Sequence, residues 1–279
     1  MDVRITKISD DLFSAENFGD LDLEATFHCG QAFRFSQKDE NGGFSAVVKN
    51  SLIRVWTEDD GRLFVSGKDV SREADYYVSY LDLDLDYEEI KKILSEDENL
   101  AKAVIFAPGI HILRQDPWEA LGSFIFSSNN NITRISGMIS RFCELFGEPA
   151  SGGGFSFPSP ERVAVLDKKD LAPLRCGYRD EYILDAARKV ASKEIDLKAI
   201  DEGSIEFGRQ ELMKIKGVGP KVAECVLLFG FHKLEAFPVD VHMKRVMAEQ
   251  YPKGLPSFAL PYAGIAQQYL FHRQRTEKQ

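Results

Sequence analysis

One short segment constrains the fold more than any other: Leu212-Met213-Lys214-Ile215-Lys216-Gly217-Val218-Gly219-Pro220-Lys221-Val222-Ala223. Its apolar spacing predicts an amphipathic helix that ends at Gly217, followed by a second helix opened by Pro220 at its first position. Gly217 and Gly219 leave the turn without side chains on one side, so its N–H groups point outward. Together with Val218 and the second helix's N-terminus they form a phosphate-binding hairpin that needs no basic side chain. The plainer alternative is a helix corner with glycines for packing, and many such hairpins bind DNA without doing chemistry.

Charge at first opposes a nucleic-acid partner, because the 279 residues carry a net −9 with a pI near 5.2. The distribution reverses that impression. Residues 1–100 hold 11 Lys and Arg against 23 Asp and Glu, a net −12, so the remainder holds 24 against 21, a net +3. Phosphate contacts depend on local donors and not on whole-chain charge. The acidic part is therefore expected to face away from DNA.

The first 80 residues read as β-rich. Phe44–Val48, Leu52–Trp56 and Arg62–Val65 are short apolar runs, with turn chemistry at Asn41-Gly42-Gly43 and Asp59-Asp60-Gly61. The acidic stretch Leu81–Asp86 reads as a solvated edge or linker. Beyond it the period becomes helical, with a short helix over Tyr87–Leu94 and a strong start at Asp116-Pro117-Trp118-Glu119, where Glu119 is expected to close a capping box. Gly152-Gly153-Gly154 and Phe157-Pro158-Ser159-Pro160 interrupt the later helices. The fold class is α+β: an antiparallel sheet domain over 1–105, then a mostly helical domain over 106–279.

No apolar run is long enough to cross a bilayer, and Met1–Ile5 lacks the opening of a secretory signal. A cytoplasmic location is expected, at the nucleoid in a bacterial or archaeal cell. Cys29, Cys143, Cys176 and Cys225 are widely spaced and form no C-x-x-C pair, which argues against zinc and iron–sulfur sites and for free thiols.

Two residues after the hairpin glycines, Lys221 falls in the first turn of the second helix. The positive end of the helix dipole there disfavours an ammonium, and a neutral amine is a nucleophile. Downstream, Asp240 in Phe237-Pro238-Val239-Asp240-Val241-His242-Met243 is placed to N-cap a helix that runs through Met247. On its own, capping is the simpler role for Asp240.

Taken together, Gly217-Val218-Gly219-x-Lys221 and Pro238-Val239-Asp240-Val241-His242-Met243 resemble the helix–hairpin–helix DNA glycosylases with the Gly-Pro-Asp-type loop. Within these the chain is most similar to the 8-oxoguanine DNA glycosylase/AP lyases. Gly30–Phe35, Leu113–Pro117, Ser127–Ile132 and Gly177-Tyr178-Arg179 appear in the order of that family, over nearly the whole chain.

The resemblance implies base-excision repair of duplex DNA containing 8-oxoguanine, opposite cytosine. Lys221 would attack C1′ and form a Schiff base, after which β-elimination can nick the strand. Asp240 would stabilise charge developing on the sugar. Cys225 and Phe271 would sandwich the flipped base, Gln267 would read its Watson–Crick edge, and the Gly30 carbonyl would accept N7–H, a donor that guanine lacks. Helical spacing is consistent with this, since Cys225 follows Lys221 by four residues and Phe271 follows Gln267 by four. Asn129 would fill the hole in the duplex, Tyr178 wedge beside it, and Arg134 and Arg179 hold the orphaned cytosine. His242 would contact phosphate or support the pocket. The carbonyls of Met213, Ile215 and Val218 would hold a structural cation, with no catalytic metal and no cofactor. A monomer is expected, without a membrane partner.

Each of these residues also has a plainer role: core packing for Cys225 and Phe271, a strand bulge for Gly30, surface charge for the arginines. Placement of Gln267 and Phe271 rests on Ala266-Gln267-x-x-Leu270-Phe271 alone, because the chain is short between Tyr251 and the last helix. The rival functions are a related glycosylase acting on alkylated purines and a non-catalytic DNA-binding module.

Overall fold

Alternating apolar residues build the first layer. A computed structural model describes residues 2–277. Strands β1 (Arg4–Ser9), β2 (Leu12–Glu16), β3 (Phe44–Val48), β4 (Ser51–Thr57) and β5 (Leu63–Ser66) form one antiparallel sheet in the order β1-β2-β5-β4-β3. Along β4, Ile53 and Val55 point into the core, while Arg54 and Trp56 face outward with the guanidinium 4.6 Å from the indole centre. Period-two burial of this kind fixes the register, since a slip of one residue would expose the inner set. The turn at residues 59–61 joins β4 to β5 as expected. The turn at 41–43 instead reverses an irregular segment onto β3, through Asp39 N–H to the Gly43 carbonyl.

Two helices interrupt this part of the chain, α1 (Leu23–His28) and α2 (Ala74–Tyr80), and both pack on the sheet. The rest is helical: α3 (Tyr87–Leu94), α4 (Glu98–Phe106), α5 (Pro117–Ser127), α6 (Ile132–Phe146), α7 (Pro160–Ala164), α8 (Arg179–Ala191), α9 (Leu197–Glu202), α10 (Ile205–Leu212), α11 (Pro220–Phe231), α12 (Val241–Gln250) and α13 (Ala263–Thr276). In α6, Ile135, Met138, Ile139 and Phe142 are buried at helical spacing, which turns one stripe to the core. Among the described residues no helix is long and apolar enough to cross a membrane.

Helices α3 and α4 contribute Tyr87, Ile90, Leu100 and Ala103 to the helical core. Three expectations change. The helix expected to end at Gly217 stops at Leu212, and Met213–Val218 descend through tight turns, with Lys216 N–H tied to the Asp185 carboxylate at 2.7 Å. Asp116 caps α5 through the Glu119 N–H at 2.9 Å, but Glu119 does not close the box. Its carboxylate accepts from Arg34 at 2.9 Å, joining the two layers.

The largest correction concerns Leu81–Asp86. Leu81, Asp82 and Leu83 are buried, and Asp82 is fully enclosed with φ +55°. Its carboxylate accepts from Tyr87 Oη (2.7 Å), Arg114 Nε (2.8 Å) and His232 Nε2 (3.1 Å). Burial opposes its charge, yet His232, Arg114 and Tyr87 together hold its carboxyl below the ordinary range. The first half of a stretch that reads as solvated is therefore buried, because partners for Asp82 arrive from distant segments, while Asp84 and Asp86 stay exposed.

Candidate active site

The first turn of α11 places Lys221 over the ring of Phe124 on α5, with Nζ 5.3 Å from the ring centre. One cleft is lined by Gly30, Phe124, Lys221, Cys225, Asp240, Gln267, Gln268 and Phe271. The two catalytic candidates and all four base-pocket candidates thus meet, although they come from four separate parts of the chain.

Each is set by a local cause. Gly30 has φ +100°, a conformation open to glycine, and this orients its peptide at the cleft wall. The next residue, Gln31, is fully buried. Its Nε2 donates to the carbonyls of Thr26 and His111, both at 2.8 Å, and its Oε1 accepts from Leu113 N–H at 2.9 Å. Gln115 Nε2 donates to the Gln31 carbonyl at 2.8 Å, while Gln115 N–H donates to the Phe229 carbonyl on α11 at 2.9 Å. The wall bearing Gly30 is therefore tied to the helix bearing Lys221 and Cys225.

Asp240 does cap α12, and it does so with one oxygen. Oδ1 accepts from Met243 N–H at 2.8 Å. Oδ2 has no protein hydrogen-bond donor among the described residues, and Asp240 also lines the cleft with Lys221. The loop before it is held by Glu224 on α11, whose carboxylate accepts from Phe237 N–H at 2.7 Å and pairs with Arg209. Burial pushes the Cys225 thiol up, against a smaller opposing pull from the Lys221 amine. A neutral thiol offers a flat base an apolar, polarisable face. Phe271 is half-buried at the cleft mouth, with His242 edge-on to it at 6.1 Å between ring centres.

Of the DNA-side candidates, His242 lines the opening beside this mouth, together with Asn130 and Asn131, which flank Asn129 in the loop before α6. Asn129 is exposed with φ +48°, and Arg134 is exposed on the first turn of α6. Tyr178 is half exposed. Arg179, expected toward the orphaned cytosine, already has protein partners. It is 4% exposed and donates to the carbonyls of Ser128, Asn129 and Cys176. In this conformation it braces the loop that carries Asn129 and supports the Tyr178 ring from 4.5 Å.

At the hairpin, Gly217 has φ +81°, and a Cβ there would lie 2.2 Å from the Tyr182 ring. Gly219 is extended with open space around it, and no side chain caps α11. That leaves N–H donors facing outward at a helix N-terminus, the chemistry an anion needs. The Ile215 carbonyl already accepts Val218 N–H at 3.1 Å, which leaves it one lone pair for a cation. Among the described residues, no cluster of His, Cys, Asp or Glu could hold a metal. All four cysteines are free and buried.

Sequence reading missed Phe124, Glu224, Gln31, Gln115, Gln268 and Arg275, which lines the mouth and donates to the His28 carbonyl at 3.1 Å. Gln31 and Gln115 lie inside segments already singled out, but a buried amide's partners cannot be read from spacing.

Comparison with known proteins identifies the family. Residues 14–121 match the family model for the 8-oxoguanine DNA glycosylase N-terminal domain, and residues 123–252 match the HhH-GPD superfamily base excision DNA repair proteins. The N-glycosylase/DNA lyase of Saccharomyces cerevisiae is 32% identical over 263 residues, covering 85% of this chain and 70% of that protein. The structure of MBOgg1 in complex with a low-affinity DNA ligand matches with a TM-score of 0.92 and 37% identity over 100% of both chains. The Clostridium acetobutylicum 8-oxoguanine glycosylase/lyase, solved with DNA containing cytosine opposite 8-oxoguanine, matches with a TM-score of 0.89 and 31% identity over 100% of this chain and 99% of that one. The chain belongs to the 8-oxoguanine DNA glycosylase/lyase family of the HhH-GPD superfamily.

Proposed function

We infer that this protein excises 8-oxoguanine from duplex DNA in base-excision repair and can nick the resulting abasic strand. The observation that carries this reading is the meeting of Lys221, Asp240, Cys225, Gln267, Phe271 and the Gly30 wall in one cleft. We propose Lys221 as nucleophile. Its amine attacks C1′ of the flipped nucleotide, the C1′–N9 bond breaks, and the base leaves with the bonding electrons and takes up a proton. Loss of the amine proton and ring opening give the Schiff base. Removal of a C2′ proton then expels the 3′ phosphate by β-elimination. The bond to the base breaks through an oxocarbenium-like state, so the Asp240 oxygen not used in capping supplies compensating negative charge.

Cys225 and Phe271 are proposed to sandwich the base, Gln267 to read its Watson–Crick edge, and the Gly30 carbonyl to accept N7–H. Guanine would present a lone pair there, so one proton separates attraction from repulsion. Asn129 and Tyr178 would occupy the vacated stack, with Arg134 and Arg179 toward an opposite cytosine and His242 toward phosphate. Gly217, Val218 and Gly219 would hold the backbone, with any structural cation at Met213, Ile215 and Val218. An amine and a carboxylate suffice for the chemistry, so it requires no cofactor. One chain supplies every cleft residue, and a monomer suffices. Its substrate assigns it to the compartment that holds the DNA.

Borohydride trapping on an 8-oxoguanine duplex tests the assignment. Wild type should form a covalent adduct and Lys221→Gln none. An adduct undiminished in Lys221→Gln would refute Lys221 as nucleophile.

A further inference from the structure

Gln267 and Gln268 are consecutive on α13, each is 4% exposed, and both line the base cleft. Gln268 Nε2 donates to Gln267 Oε1 at 2.8 Å. Gln268 Oε1 is buried and has no hydrogen-bond partner among the described residues. A buried, unpartnered amide oxygen is costly, and one on a binding cleft is explained by a ligand donor. The bond between the amides also fixes the neighbour. Gln267 has its oxygen turned to Gln268 and its Nε2 turned away.

With Gln268 Nε2 committed to Gln267 Oε1, the groups left for a ligand are a donor (Gln267 Nε2), an acceptor (the second lone pair of Gln267 Oε1) and a further acceptor (Gln268 Oε1). The Watson–Crick edge of 8-oxoguanine presents O6, N1–H and the N2 amino group, an acceptor followed by two donors. The two sets are complementary. We propose that Gln268 is a second base-reading residue, with Oε1 accepting from the N2 amino group while Nε2 locks the Gln267 amide in its reading orientation. This rests on the 8-oxoguanine assignment above and extends it. An adenine-type edge offers an amino group where Gln267 also donates and a bare N1 where Gln267 accepts. It is rejected at both positions.

Single-turnover kinetics on duplexes test the proposal. Gln268→Leu removes both polar contacts at similar size. The ratio of base excision to nicking of a preformed abasic site should fall about tenfold to a hundredfold, the range expected for one unpaired buried group. Wild type should be slowed by a similar factor on 8-oxohypoxanthine, which lacks only the N2 amino group, and Gln268→Leu should then discriminate little between the two bases. Equal excision-to-nicking ratios for wild type and Gln268→Leu would overturn the proposal. So would excision and nicking falling together, which would mark a structural role. If the variant does not fold, the wild-type substrate pair decides: equal rates on the two bases refute the N2 contact. Wild type inert toward 8-oxoguanine would instead overturn the parent assignment.

Discussion

Asp240 uses its two oxygens for different tasks, and two substitutions separate them. Oδ1 caps α12 through Met243 N–H at 2.8 Å, and Oδ2 is free for the cleft. Asparagine is as good a cap as aspartate, so Asp240→Asn keeps the Met243 bond and loses the charge. Its stability should stay within about 0.5 kcal/mol of wild type, while base excision falls about 10²- to 10³-fold, equivalent to ~2.7–4 kcal/mol of transition-state stabilisation. Asp240→Ala loses both. Its melting temperature should drop by about 2–4 °C for the ~1 kcal/mol of a missing cap, with an excision defect no smaller than that of the asparagine variant. Thermal melts followed by far-UV circular dichroism give the first quantity and single-turnover cleavage the second. Excision by Asp240→Asn within tenfold of wild type would refute the role of the charge. An asparagine variant that melts as low as the alanine one would show that capping is not preserved.

Gln31→Leu leaves Leu113 N–H and the carbonyls of Thr26 and His111 without their buried partner, so urea unfolding should show a loss of about 3–5 kcal/mol. A loss under 1 kcal/mol would contradict the network. Asp82→Asn tolerates the positive φ but leaves Arg114 without its buried anion, for a cost of about 3 kcal/mol. Because the folded Asp82 carboxyl lies below its ordinary value, it stabilises the wild type above the unfolded pKa of about 4, and that contribution disappears as pH falls through the lower folded value. Wild type minus Asp82→Asn stability, measured from pH 7 down to pH 3, should therefore shrink only at the acid end; a difference independent of pH would argue against a native-state charge. Gly217→Ala should destabilise the hairpin through both its φ and the Tyr182 ring, whereas Gly219→Ala should fold normally and weaken DNA binding. Matched melts and fluorescence-anisotropy titrations distinguish the two, and unchanged affinity in Gly219→Ala would remove that glycine from the phosphate site.

What was legible in the sequence depended on range. Tyr87–Leu94 and the Asp116 cap were readable because period and capping are local. The family was legible through four ordered motifs, each weak alone. Leu81–Leu83 was misread because the partners of Asp82, Arg114 and His232, lie far along the chain. Glu119 looked like half of a capping box, and only the fold reveals that Arg34 claims it. Similarly, the sequence left Asp240 between cap and carboxylate, and atomic geometry assigns one oxygen to the first role and leaves the other available. Arg179 shows another limit: its residue type suggests a contact to the opposite base, and its carbonyl partners, invisible to spacing, also make it brace the Asn129 loop.

The path from Gln31 through Gln115 to Phe229 has a consequence for how the molecule comes apart. It crosses from the sheet layer to the nucleophile's helix by two bonds of 2.8 and 2.9 Å in the protein interior. Local opening of either side would break a bond that the other shares, so the two layers should lose protection in a single cooperative event. In native-state hydrogen exchange, the amides of Leu113 and Gln115 should therefore exchange only through global unfolding, alongside the central turns of α11. Lesion recognition and bond cleavage would then be lost together, and no partly open form would cut DNA without reading it.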